Sequence, residues 1–212
     1  MEILQLSKET IDTCVVRATE VLRAGGVILY PTDTLYGLGA DALSDEAVAK
    51  VYDIKRRDEL KPIHAIVADL EMAERYAEVN DEMRVLEREL PKGKITFIVK
   101  KKNFNTGIMH GIETFGFRIP DNDFCIALAR TFDGPITATS ANKAEKVPER
   151  SIKAILAQLG DVTSDIDLVI DTGELPSQKP STVVDMTGDR PLIVREGAIA
   201  APELWNAIHD EY

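Results

Sequence analysis

The chain has 212 residues, with 25 Lys and Arg against 36 Asp and Glu, a formal charge of −11 and 44% hydrophobic residues. That length fits one large domain or two small ones, and the apolar fraction is enough for a true core. The acidity excludes a general attraction to phosphate backbones, though not a local basic cleft on an acidic body.

In chain order, a strand-like run follows Met1. Residues 7–24 then carry an apolar stripe at helical spacing, Ile11, Cys14, Val15, Ala18, Val21 and Leu22, with Ser7 as cap and Gly25-Gly26 as stop. An apolar strand at 27–30 follows, and Pro31 is expected to end its pairing. Ser44 caps a helix at about 45–54, with Asp45 and Glu46 matching its dipole. Residues 62–67 read as a strand, 70–76 and 80–90 as helices, and 95–99 as a strand running into Lys100-Lys101-Lys102. After a loop at 103–113 come a strand at 115–119, a helix at 122–132, a strand at 136–139, and a helix at 151–159 capped by Ser151. Strands at 168–170, 182–184 and 192–194 and a helix from about 202 complete the pattern. Several neighbouring strands lack an intervening helix, so the expected fold is α/β with a mixed parallel and antiparallel sheet. No repeat or linker divides it, which favours a single domain over 1–212.

Cys14 and Cys125 are far apart and lack metal-ligand spacing; they give no disulfide framework and suit a reducing compartment. No apolar run reaches about 18 residues and no leader pattern opens the chain. The expectation is a cytoplasmic protein with no membrane association.

The run Tyr-Pro-Thr-Asp-Thr-Leu-Tyr-Gly-Leu-Gly at 30–39 carries the most information. It sets Thr32, Asp33 and Thr34 at a strand end, where open α/β sheets place ligands, and Gly37 and Gly39 let backbone approach a ligand. By itself it also reads as a tight strand-to-helix connection. Other polar clusters sit at predicted element ends: Lys55-Arg56-Arg57 with Lys61, Thr114 with Arg118, Thr139-Ser140-Ala141-Asn142, Ser181-Thr182, and Arg195-Glu196-Gly197. Taken singly, Lys55–Arg57 reads equally as an exposed helix end, and Lys100–Lys102 as a solvated strand end. Together the clusters supply hydroxyls, amides and cations with no nucleophile–base pair. Arg forks and Lys point charges suit anionic substrates. His64, His110 and His209 have no partners at metal spacing, and His64 reads as a strand residue with a local hydrogen bond.

In that order, Pro31–Gly39, Lys55–Arg57, Lys61–Ile63, Gly116–Pro120, Thr139–Asn142, Ser181–Asp185 and Arg195–Ile199 resemble the YrdC-type family of threonylcarbamoyl-adenylate synthases. The likeness spans nearly the whole chain and looks like the short, single-domain form. It implies a twisted mixed sheet curved around a basic groove. It also implies a reaction: L-threonine, bicarbonate and ATP give threonylcarbamoyl-adenylate and pyrophosphate, with Mg²⁺ carried by the phosphates. A separate transferase complex would move the threonylcarbamoyl group to the adenosine beside the tRNA anticodon. Carried over by position, Thr34, Arg118 and Ser181 lie near threonine. Lys55, Arg57, Lys61, Ser140, Asn142 and Arg195 lie around the nucleotide and carbamate, Lys55, Arg57, Ser140 and Asn142 being catalytic, and Thr114 faces the nucleotide. Three positions depart from the family pattern: Asp58 and Lys94 where Pro is common, and Ile66 where many relatives have His.

A different class of reading is a non-catalytic RNA-binding module. It would use Lys55–Arg57, Lys61, Lys92, Lys94 and Lys100–Lys102 against tRNA or double-stranded RNA. The net charge and the lack of an aromatic-studded basic strand count against it. A carbamoyl-transfer role in hydrogenase maturation ranks lower, since no acyl-phosphatase-like or zinc-finger segment accompanies these motifs. Residues 142–150 are placed to cover the nucleotide as a lid.

Overall fold

The computed structural model describes residues 1–209, the side chain of His209 excepted. Its strands are β1 (Glu2–Gln5), β2 (Ile28–Pro31), β3 (Tyr36–Gly39), β4 (Ala65–Ile66), β5 (Ile95–Lys100), β6 (Thr114–Arg118), β7 (Ile136–Thr137), β8 (Thr139–Ser140), β9 (Leu168–Asp171), β10 (Thr182–Asp185) and β11 (Leu192–Arg195). Its helices are α1 (Ile11–Arg23), α2 (Asp45–Lys55), α3 (Leu70–Glu74), α4 (Asp81–Glu89), α5 (Asp123–Phe132), α6 (Ile152–Leu159) and α7 (Ala201–His209). The α/β class and the mixed pairing are as expected. The strands divide into two sheets, ordered β1-β9-β2-β3-β8 and β11-β10-β5-β6-β4-β7.

The two sheets are joined by one five-residue segment. Ile136 and Thr137 pair with β4 in the second sheet, and Thr139 and Ser140 pair with β3 in the first. Ala138, between them, donates its N–H to the His64 carbonyl at 2.9 Å. Thr137 is fully buried and fixes the crossing. Its hydroxyl donates to the Leu38 carbonyl and accepts from the Ala40 N–H, both at 2.9 Å, while its carbonyl accepts from the Tyr30 phenol at 2.9 Å. Every polar atom of that threonine is thereby used, as burial demands.

Alternation along β5, β6 and β10 gives the second sheet two different faces. Ile95, Phe97, Phe115 and Phe117 turn into the core, where Phe97 and Phe115 each lie 5.6 Å, centroid to centroid, from Phe117. Thr96, Ile98, Thr114, Gly116, Arg118, Ser181 and Val183 turn the other way and line a cleft. One core of buried apolar side chains runs through both sheets and the helices, including the α1 face predicted from its stripe.

Three local expectations change. Ser7 does not cap α1: its N–H bonds to the Thr10 hydroxyl at 2.8 Å in a turn, and the helix starts one residue after Thr10. The 30–39 run is a hairpin rather than a strand leading to a helix, with Pro31 paired opposite Tyr36 as the last residue of β2. Proline is tolerated there because the strand needs no further N–H. Gly39 serves packing rather than a ligand, since a Cβ there would lie 2.7 Å from the Tyr30 ring.

Candidate functional site

The cleft lies between the hairpin and β8 on one side and the open face of the second sheet on the other, with a volume of about 460 Å³. Thr34, Arg57, Thr114, Arg118, Ser140, Ser181 and Arg195, all singled out from the sequence, line it. Lys55, Lys61 and Asn142 do not.

Each lining side chain is held by local chemistry. In the hairpin turn the Thr32 hydroxyl accepts from the Thr34 and Leu35 N–H groups, each at 3.2 Å, and donates to the Leu35 carbonyl at 2.7 Å. Thr32 therefore builds the turn and presents Thr34 to the cleft. Arg56 takes a left-handed φ of 49° and closes α2, which directs Arg57 away from the helix axis. Asp58 then makes the turn that a proline would otherwise set: its carboxylate accepts from Leu60 N–H at 2.9 Å and its carbonyl from Lys61 N–H at 3.0 Å. Arg57 donates to the Lys61 and Pro62 carbonyls at 3.2 and 3.3 Å. Arg195, paired beside Val183, donates to the Ser181 carbonyl at 2.9 Å.

Arg118 is the most constrained cation. Its Nη1 donates to Asp33 Oδ1 at 2.6 Å and to the Gly93 carbonyl at 3.0 Å, and both side chains of the pair are only 5% exposed. Both Nη1 hydrogens are thus engaged, which leaves Nη2 and Nε for an anion in the cleft. Lys94 stands 3.9 Å from the other Asp33 oxygen, which gives a function to one departure from the family pattern.

Lys55 is 1% exposed and faces the chain instead of the cleft. Its ammonium donates to the Ser140 carbonyl, to the Asn142 carbonyl at 2.9 Å and to Asn142 Oδ1 at 3.1 Å. Burial, and then Arg57, pull it down to about 8. The Asn142 side chain accepts from the Ser140 hydroxyl and donates to the Lys143 and Lys146 carbonyls at 3.0 and 2.6 Å. Lys55 and Asn142 thus shape the turn that presents Ser140. Lys61 is exposed, and its ammonium has no partner among the described residues. The 142–150 segment is pinned to α2 through Ala144 N–H and the Lys55 carbonyl (2.8 Å), and to Gln158 through the Val147 carbonyl (2.9 Å). None of residues 143–150 lines the cleft.

Two polar lining residues, Thr96 and His64, were missing from the sequence-derived set. Thr96 shares a 2.7 Å hydroxyl–hydroxyl bond with Ser181, and its signal is a polar residue at alternate phase within an apolar strand. His64 precedes β4 beside Gly116, and no hydrogen bond to its ring is present among the described residues, against the local bond expected of it. Burial, then Arg118, Arg195 and Arg57, lower it to about 3. A histidine lowered this way favours the fold above its unfolded value, and that contribution is lost as pH falls from about 6.5 toward 3. His64→Gln is expected to remove about 2 kcal/mol of the acid destabilisation seen by pH 5 in denaturant titrations of the two proteins. Equal slopes would place the imidazole in ordinary contact with water.

The described residues contain no group of three or more His, Cys, Asp or Glu side chains able to cage a metal, and no helix long and apolar enough to cross a membrane. Both cysteines are buried, with their thiols pushed up by desolvation.

The Sua5/YciO/YrdC family model, described as telomere recombination, matches residues 20–197. A Methanocaldococcus jannaschii relative is 38% identical over 181 residues, 85% of this chain and 84% of that one. Mouse threonylcarbamoyl-AMP synthase is 36% identical over 80% of this chain and 61% of its own length. The structure of Pyrococcus abyssi Sua5 complexed with L-threonine superposes with a TM-score of 0.87 at 27% identity, over 98% of this chain and 60% of that one. The chain thus spans most of the first relative and about three-fifths of the other two, and it belongs to the Sua5/YciO/YrdC family.

Proposed function

We propose that this chain is a threonylcarbamoyl-AMP synthase, a nucleotidyltransferase condensing L-threonine, bicarbonate or CO₂, and ATP into threonylcarbamoyl-adenylate and pyrophosphate. The observation that carries this reading is one cleft that joins the guanidiniums of Arg57, Arg118 and Arg195 to the hydroxyls of Thr34, Thr96, Thr114, Ser140 and Ser181. A mouse relative named for that activity matches most of this chain in sequence, and the Sua5 structure complexed with L-threonine shares its fold. The reaction brings a carboxylate, a carbamate and a triphosphate together, so it needs converging cations and preorganised donors more than it needs a nucleophile.

In this reading Arg118, Thr34 and Ser181 hold threonine, while Arg57, Ser140, Thr114 and Arg195 hold the nucleotide and carbamate. The carbamate oxygen attacks the α-phosphorus, and the bond to the β-phosphate breaks with its electrons leaving on pyrophosphate. Mg²⁺ would enter with ATP: Asp33, the carboxylate behind the cleft wall, already holds Arg118, so phosphate and water would ligate the ion. The adenylate would pass to a transferase complex acting on tRNA. The RNA-binding alternative loses support from three of the seven lysines it would use. Lys55 is buried, Lys102 donates to the Glu74 carbonyl, and Lys101 donates to Asn105 and Met109, both at 3.2 Å.

The test is threonine-dependent pyrophosphate release together with the mass of the adenylate. Arg57→Ala should fold normally, because its two carbonyl partners lie in an exposed turn. It should lose about 10–100-fold in kcat/KM, the value of one hydrogen bond to a charged substrate group. Ser140→Ala should also lower product formation. Wild-type turnover by Arg57→Ala would remove it from the site.

A further inference from the structure

Carbamate formation releases a proton. Bicarbonate and the threonine ammonium give carbamate, water and one H⁺; written through CO₂, the amine lone pair forms the N–C bond and that nitrogen must then shed a proton. The cleft offers few groups to take it. The titratable or charged side chains facing its interior are Arg57 from the turn after α2, Arg118 from β6, Arg195 from β11, Tyr36 from β3 and His64. Arginine stays protonated. Tyr36 donates to the Gly173 carbonyl at 2.7 Å, and burial pushes it up to about 12. Asp33 lies behind Arg118 and is held by it. The side chains that β5, β8 and β10 turn to the cleft are hydroxyl or apolar.

We propose that the His64 imidazole accepts the proton shed by the threonine nitrogen as the carbamate N–C bond forms. This rests on the synthase reading above and adds a catalytic residue to it. Three observations place the ring for that role. It lines the cleft, no protein group among those described hydrogen-bonds it, and its lateral neighbour Gly116 has no side chain to cover it. Burial, and after it the surrounding guanidiniums, keep the ring neutral, which is the form that accepts a proton. When a triphosphate and a carboxylate neutralise those guanidiniums, their share of the depression is lifted and the ring's proton affinity rises. The base is therefore weak in the empty cleft and competent in the loaded one. The imidazolium then returns its proton to water when the product leaves.

The test pairs NMR titration of the histidine rings, with His64 assigned by its loss in His64→Gln, with kcat measured against pH. In the empty protein the His64 signals should not titrate down to pH 5. With threonine and a non-hydrolysable ATP analogue bound, a titration should appear between pH 5 and 8. His64→Gln should lower kcat by about 100-fold or more, at the low end of general-base contributions, and should abolish the acid limb of the kcat profile. Its KM for threonine should change by only a few-fold. Wild-type kcat in the variant, an effect confined to KM, or a ring that stays silent with both ligands bound would each overturn the assignment. A wild-type protein that makes no adenylate would instead overturn the synthase reading beneath it. If His64→Gln does not fold, the ring titration of the wild-type protein decides.

Discussion

Arg118→Met is expected to abolish adenylate formation and to cost about 3–5 kcal/mol of stability, the range for breaking a buried ion pair from one side. Both effects come from the same geometry. The guanidinium spends Nη1 on Asp33 and the Gly93 carbonyl and keeps Nη2 and Nε for the cleft. Its removal takes those donors from the substrate and leaves the Asp33 carboxylate buried. One oxygen of that carboxylate already lacks a hydrogen-bond partner among the described residues, with Lys94 3.9 Å away. The two losses can be separated. In Arg118→Met/Asp33→Leu no uncompensated charge remains, so chemical denaturation should show most of the stability restored while turnover stays absent. Activity in the double variant would mean that Arg118 does not touch substrate. Asp33→Asn should be milder, because its amide oxygen still accepts from Nη1.

Gly93 shows how tightly that pair is built. It has φ +73°, and a Cβ there would lie 2.3 Å from an Asp33 oxygen. A glycine thus lets the chain approach a carboxylate whose job is to aim an arginine across the cleft.

What could be read from the residues follows from the range of the interactions involved. Apolar periodicity located nearly every helix and most strands, because those signals are local; Ser44 and Ser151 cap the helices assigned to them. β3 was hidden because Tyr36-Gly37-Leu38-Gly39 offers few β-favouring side chains, and its glycines make sense only beneath the Tyr30 ring of the facing strand. The division into two sheets turns on Ala138, whose one informative bond reaches His64, a contact with no sequence signature. Among site residues, Arg57, Arg118 and Arg195 were visible as cations at element ends. Lys55 has the same residue-level signal, yet its direction is set by carbonyls 85 and 87 positions away. Thr96 was readable in principle, as a hydroxyl at alternate phase in an apolar strand.

Lys55→Met is the second substitution with a large expected effect, and it tests whether a residue off the cleft wall governs chemistry on it. Three oxygens accept from the ammonium. Two keep another donor when it is lost, since Asn142 N–H still reaches the Ser140 carbonyl at 2.9 Å and the Ser140 hydroxyl still reaches Asn142 Oδ1. The Asn142 carbonyl keeps none among the described residues. The lost bonds to a charged donor are worth about 4–9 kcal/mol together, at roughly 1.5–3 kcal/mol each. Relief from burying the ammonium returns about 3 kcal/mol, from a shift of 10.5 to about 8. A net loss of about 1–6 kcal/mol is expected, with turnover reduced about 100-fold as the Ser140 turn relaxes. The pH dependence makes the assignment specific. Between pH 8 and 10.5 the unfolded chain holds this proton and the folded chain does not, so the Lys55 contribution to stability rises with pH. Over the same interval the ammonium becomes an amine, with two hydrogens for three oxygens, and turnover should fall. Stability and activity should therefore diverge above pH 8 in the wild-type protein, relative to Lys55→Met at each pH. Wild-type turnover that stays flat from pH 8 to 10 would show that the Lys55 ammonium does not hold the Ser140 turn.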